Sequence, residues 1–177
     1  MVNRTETSVR AVSELAQSFP VLSCDIFDTA VGRILARPED VLLAVGARAL
    51  AEGLITYSPD AFAVYRQAAE VRARARAESA GHDEVRIAEI YDDMYALGIL
   101  AEPVRAARLE FEVECAVCRP IAPVQEMLVA RAASGSGDHL IFASDSCLPG
   151  LWLAELLQSC GYGTGFRVFA SSVRLNG

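Results

Sequence analysis

Two short apolar runs, residues 21–24 and 139–143, each empty into a polar turn, and nearly everything between them reads as helix. The first run opens onto Asp25-Ile26-Phe27-Asp28-Thr29 and the second onto Ser144-Asp145. A third run, residues 166–170, ends at Ser171. Strands kept apart by helices cannot pair as hairpins, so the pattern predicts an α/β fold with a Rossmann-like parallel sheet of about three strands. Ligands bind such sheets at the carboxyl ends of the strands, which is where Asp25, Ser144 and Ser171 fall.

Val9, Val12, Leu15 and Ala16 stand at helical spacing over residues 8–18, and Pro20 closes that segment. From 38 to 118 the punctuation divides the chain into four helices. Pro38-Glu39-Asp40 opens the first and Gly53 closes it. Ser58-Pro59-Asp60 caps the second, which runs to Gly81. Ile87, Ile90, Tyr91 and Tyr95 carry the third to Gly98, and the fourth runs from Pro103 to about Cys118, before Pro120. A helix over 123–133, a turn at 134–138, a helix over 149–159 and a turn with Gly161, Gly163 and Gly165 complete a β-α-β unit. The chain of 177 residues suits one domain with one insertion: an α/β core of residues 1–34 and 120–177, and a four-helix insertion of residues 35–119.

A net charge of −7 argues against a nucleic-acid partner, since phosphate backbones need a basic face. No apolar run approaches the roughly 20 residues of a membrane span, and the first residues lack a signal peptide's apolar core, so a cytoplasmic protein is expected. Cys24, Cys115, Cys118, Cys147 and Cys160 are an odd number in mostly apolar surroundings and read as reduced thiols. Cys115 and Cys118 form a CxxC with no second pair beside it, which favours a structural role. Arg66, Arg72, Arg74 and Arg76, in and beside a charged stretch at 70–78, read as a solvated helix face. His82 and His139 are not placed for catalysis. All 16 basic residues are Arg, and the chain contains no Lys.

A carboxylate at a strand end, a Thr four residues on and a Ser at the end of a neighbouring strand suit phosphoryl transfer: the carboxylate attacks while hydroxyls and backbone N–H groups hold the developing charge. Cys24-Asp25-Ile26-Phe27-Asp28-Thr29 resembles the first motif of the haloacid-dehalogenase-like hydrolases, and Ile141-Phe142-Ala143-Ser144-Asp145 resembles the second. The helical insertion stands where that superfamily carries its cap. Arg37-Pro38-Glu39-Asp40-Val41 and Leu148-Pro149 add a likeness to bacterial predicted hydrolases linked with surface-polysaccharide and glycosyltransferase systems. The resemblance implies a phosphatase for a small phosphorylated metabolite of the sugar-phosphate type. Asp25 is then the nucleophile that forms an aspartyl-phosphate. Thr29 orients the first turn, and Ser144 binds phosphoryl oxygens. Mg²⁺ is held by Asp25, the backbone carbonyl of Phe27 and Asp145. Arg33, where the chain enters the insertion, is a candidate for a substrate anion.

The sequence also departs from the superfamily. Phe27 stands where its phosphatases carry a general acid, and side-chain alternation along a strand argues that Asp28 does not replace it. The third-motif Lys is absent, with Arg174 the nearest substitute, and no fourth-motif acidic pair follows Asp145. Either a fragment or a reduced relative accounts for this. Both predict an open edge on the first strand, able to pair with a second copy or another protein. A catalytically incomplete binding module is therefore the alternative function. A receiver-like signalling module is a lesser one, since receivers lack the insertion and need a Lys.

Overall fold

The computed structural model describes residues 14, 18–82, 84–133 and 140–172. Its elements are β1 (Leu22–Asp25), β2 (Val31–Arg33), α1 (Asp40–Ala51), α2 (Pro59–Ser79), α3 (Ile87–Ala96), α4 (Pro103–Val117), β3 (Cys118–Pro120), α5 (Ala122–Arg131), β4 (Leu140–Ser144), α6 (Gly150–Ser159) and β5 (Arg167–Ala170). The helix expected over 8–18 lies almost wholly outside the described residues. So do the turn at 134–138, His139 and Arg174.

β1, β4 and β5 form a parallel sheet in the order β1-β4-β5, so the α/β expectation holds. Leu22 pairs with Leu140 and Asp25 with Ala143, while Ser144 pairs with Ala170. Alternation along the strands gives the sheet two unequal faces. Cys24, Leu140, Phe142 and Ala170 point into the core with Leu128 of α5 and Leu153, Leu156 and Leu157 of α6. The rings of Tyr162 and Phe166 meet Phe142 edge-on at 5.4 and 5.0 Å. On the other face Ser23, Asp25, Arg167 and Phe169 are exposed and Ile141 and Ala143 half-buried. Parallel sheets are usually covered on both faces, but among the described residues this one is covered on one. Among those residues β1 pairs only with β4, as the open-edge expectation required.

A second, antiparallel pair was not anticipated: β2 lies against β3, with Val31 opposite Pro120 and Arg33 opposite Cys118. The fourth helix ends at Val117 with Cys118 as its cap, as expected, and Arg119, the residue before Pro120, is extended. Three-residue strands are too short to show a period. This ribbon brings together the points where the chain leaves the sheet and returns, and α1 to α4 stand between its arms. Arg131, at the end of α5, donates to the carbonyls of Phe19 and Pro20 at 2.8 and 3.0 Å and fixes the approach to β1.

The second helix, α2, begins where capping predicts it. Ser58 Oγ accepts the Ala61 N–H at 3.2 Å with Pro59 in the first turn, and Gly81 beyond the C-terminus of α2 takes φ +76°. α1 and α2 cross closely at Gly46, where a Cβ would sit 2.8 Å from Pro59 Cα. The reading of a solvated face holds for Arg72, Arg74 and Arg76, whose side chains are 39%, 47% and 56% exposed, and is corrected for Arg66, which is only 3% exposed and joins Glu110 of α4. Arg72 and Arg76 also reach Asp93 of α3, so the exposed face still ties α2 to a neighbour, while the buried Arg66 needs its carboxylate partner.

Candidate functional site

The turn after β1 is held by its own backbone. Ala30 and Val31 N–H both donate to the Ile26 carbonyl at 2.9 Å, and Asp28 N–H donates to Val31 at 2.8 Å. From outside, the Ala30 carbonyl accepts Ile121 N–H at 2.9 Å and Tyr162 Oη at 2.6 Å. Asp28 takes φ +58°, the left-handed region that Asp tolerates better than most residues. Strand alternation therefore does not apply at Asp28, because the chain has already left the strand. Thr29 Oγ1 donates to Asp25 Oδ2 at 3.4 Å, so the hydroxyl four residues on orients the carboxylate itself.

Asp25, Ser144, Asp145 and Ser171 line one cleft of about 830 Å³ at the carboxyl ends of β1, β4 and β5. Ser144 is buried; its hydroxyl oxygen accepts the Ser146 N–H at 3.2 Å, leaving its proton to donate. Its carbonyl accepts the Ser171 N–H at 3.0 Å, which brings the two strand ends together. Asp25 and Asp145 are exposed. No arginine is among the described residues lining this cleft, and Arg174 falls outside them.

Arg33 is not free to meet an anion with its whole guanidinium. Nε and Nη2 each donate to a Glu114 carboxylate oxygen at 2.9 Å, and the guanidinium stacks 4.5 Å above the Phe27 ring. The residue thus clamps the first-motif turn to the end of α4. Glu114 was missed in the sequence, although Glu110 and Glu114 share the buried stripe of α4 with Ala106 and Val113.

A second cleft, of about 440 Å³, lies between the helices and the sheet. Phe27, Arg33, Asp145 and Ser146 line it from one side and residues of α2 and α4 from the other, and Asp145 borders both clefts. On its wall Glu110 accepts Arg66 Nε at 2.8 Å, Arg66 Nη2 at 2.7 Å and Tyr91 Oη at 2.6 Å. Burial raises the Tyr91 hydroxyl well above its ordinary pKa, and the Glu110 charge adds to this. Cys147, on the same wall, is pushed up to about 12, first by burial and then by Glu110. Burial likewise lifts Cys24 and Cys115 to about 11. All five thiols are free.

For Mg²⁺ the hard-oxygen donors lining the first cleft are the carboxylates of Asp25 and Asp145, while Phe27 lines the second cleft. No group of three or more His, Cys, Asp or Glu side chains suited to a metal occurs among the described residues. Two carboxylates fit Mg²⁺ held largely by water and substrate phosphate, which is its usual manner of binding. They do not make a closed protein cage.

No described helix is long and apolar enough to cross a membrane. No family model matches the chain, and no characterised protein matches it significantly.

Proposed function

We propose that the chain is a haloacid-dehalogenase-like hydrolase whose helical insertion serves as the cap, acting on a small phosphorylated metabolite of the sugar-phosphate type. One observation carries the reading: Asp25, Ser144, Asp145 and Ser171 converge in one cleft at the carboxyl ends of three parallel strands, with the insertion entered through β2 after the first. An Asp25 oxygen attacks phosphorus, the P–O bond to the ester oxygen breaks, and water then hydrolyses the aspartyl-phosphate. Thr29 holds Oδ2, leaving Oδ1 to attack. The Ser144 hydroxyl donates to a phosphoryl oxygen. Asp25, Asp145 and the Phe27 carbonyl would hold Mg²⁺, which would offset phosphate charge. With Phe27 in place of a general acid, the leaving oxygen takes its proton from water. Such a step forgoes roughly 10²- to 10⁴-fold in rate for a poor leaving group.

The test is Mg²⁺-dependent phosphate release from an aryl phosphate and from sugar phosphates, with Asp25→Asn compared at equal folded concentration. Turnover that Asp25→Asn abolishes, faster for the aryl ester, is the expected result. Turnover unchanged in Asp25→Asn, or none at all, refutes the reading.

A second reading, an incomplete relative that binds a partner, is favoured by the sheet face and β1 edge left open among the described residues. In that case the chain elutes as a dimer or captures another protein while releasing no phosphate.

A further inference from the structure

The four helices α1 to α4 join the core through one ribbon, leaving by β2 and returning by β3. A unit joined in this way rotates about its crossing by default, unless the surface beneath it is large and apolar. Here separate contacts oppose such a rotation. The first lies between α4 and α6 of the core. The rings of Phe111 and Trp152 stack there at 5.0 Å and 29°, and Phe111 is buried. The Arg108 guanidinium lies 4.8 and 5.5 Å from those two ring centroids and donates to both Glu155 carboxylate oxygens, at 3.2 and 2.8 Å. The second contact lies at the loop after β4. The buried Ile87, first residue of α3, donates its N–H to the Cys147 carbonyl at 2.9 Å, and Arg66 Nη2 of α2 meets Cys147 Sγ at 3.9 Å.

Beneath both contacts, one apolar cluster takes in Ile90, Met94 and Leu109 of the insertion together with Ile26, Leu148 and Leu153 of the core. The two contacts use different helices of the insertion and different segments of the core. Rotation about the ribbon therefore breaks the main-chain bond or the ring stack, and it opens the shared cluster to water. We infer that the insertion is a fixed part of the molecule, not a swinging lid, and that it separates from the core only when both unfold together. The inference holds whether or not Asp25 turns over an ester. A ligand then reaches the cleft at Asp25 past the exposed Phe169, from the sheet face left uncovered among the described residues, with no movement of the helices.

Native-state hydrogen exchange of the whole chain in rising urea, read by NMR, is the test. The Ile87 N–H bonds across the seam, so it exchanges whenever the insertion lifts, while β4 lies at the centre of the sheet and reports unfolding of the core. A lid open for about 0.1–10% of the time would protect the Ile87 amide only about 10- to 1,000-fold. A docked insertion gives it a protection within about tenfold of the β4 amides of residues 141–143, with the same dependence on urea. Trp152, the sole tryptophan, reports the seam from the core side, and its emission should change at the same urea midpoint as the far-ultraviolet signal of the helices. Arg108→Ala, at a side chain 38% exposed, loosens the seam and should lower protection at Ile87 and in β4 by one common factor. Protection at Ile87 more than about tenfold below that of β4 overturns the inference. So does a Trp152 transition that precedes the helical signal, or an Arg108→Ala effect confined to Ile87.

Discussion

Replacing Arg66 with Met tests how far the buried ion pair organises the helices. The side chains of Arg66 and Glu110 are 3% and 7% exposed, and two of the three hydrogen bonds accepted by Glu110 come from that guanidinium. Met fills much of the volume but leaves a buried carboxylate facing Tyr91 alone. Breaking one partner of such a pair costs about 3–5 kcal/mol, whereas replacing both by apolar groups is often neutral or better. At about 2–4 °C per kcal/mol for a chain of this size, Arg66→Met should lower Tm by roughly 6–20 °C. Arg66→Met with Glu110→Leu should recover most of that.

Urea melts of wild type, both singles and the double at pH 7 provide the measurement. A single-variant loss under about 1 kcal/mol, or a double as unstable as Arg66→Met, would refute the reasoning.

Asp93 takes hydrogen bonds from Arg72 and Arg76. Burial pushes its carboxyl up, but these bonds outweigh that and hold it below the ordinary range. Its contribution is therefore present above the unfolded pKa of about 3.9 and lost as pH falls through the lower folded value. Asp93→Asn should lower the urea midpoint at pH 7, with the gap closing as pH falls below the unfolded value of about 3.9. Ser58→Ala removes the acceptor for Ala61 N–H and should cost about 1 kcal/mol in the same melts. Gly46→Ala, which in an open helix would gain up to about 1 kcal/mol, should instead destabilise by about 1–3 kcal/mol, because its Cβ meets Pro59 backbone at 2.8 and 2.9 Å. A stabilised Gly46→Ala would show that α1 and α2 separate without penalty.

The elements legible in the sequence were those with a long period or a strong cap. Ser58-Pro59 fixed the start of α2, and the apolar runs before Asp25 and Ser144 marked β1 and β4. What escaped was short or non-local. β2 and β3 have three residues each and exist through one another, so neither announces itself alone. The left-handed turn at Asp28 depends on bonds from Val31, Ile121 and Tyr162, the last of them 132 positions from Ala30. The arginine bridges were partly legible. Arg66 lies four residues after Phe62 and seven before Ala73, on the apolar stripe of α2, and Glu110 holds the matching place on α4. Opposite charges on two apolar stripes are a pairing signal that a count of charges along one helix hides.

The exclusive use of arginine bears on the cleft as well as the helices. Glu114 and Glu110 each receive two parallel bonds from one guanidinium, Arg33 and Arg66 respectively. Such a fork fixes direction as well as distance, which a lysine ammonium cannot do. Both forks lie on the wall of the cleft that borders Asp145. One set of bonds therefore holds α2 and the β2 strand against α4 and also shapes the space offered to a substrate. Arg33→Lys and Arg66→Lys keep the charge and lose the fork, so they separate the two effects. If geometry sets the cleft, both should weaken ester binding at neutral pH although the charge is unchanged, and salt should not restore it. If charge alone matters, both lysine variants should bind as wild type does.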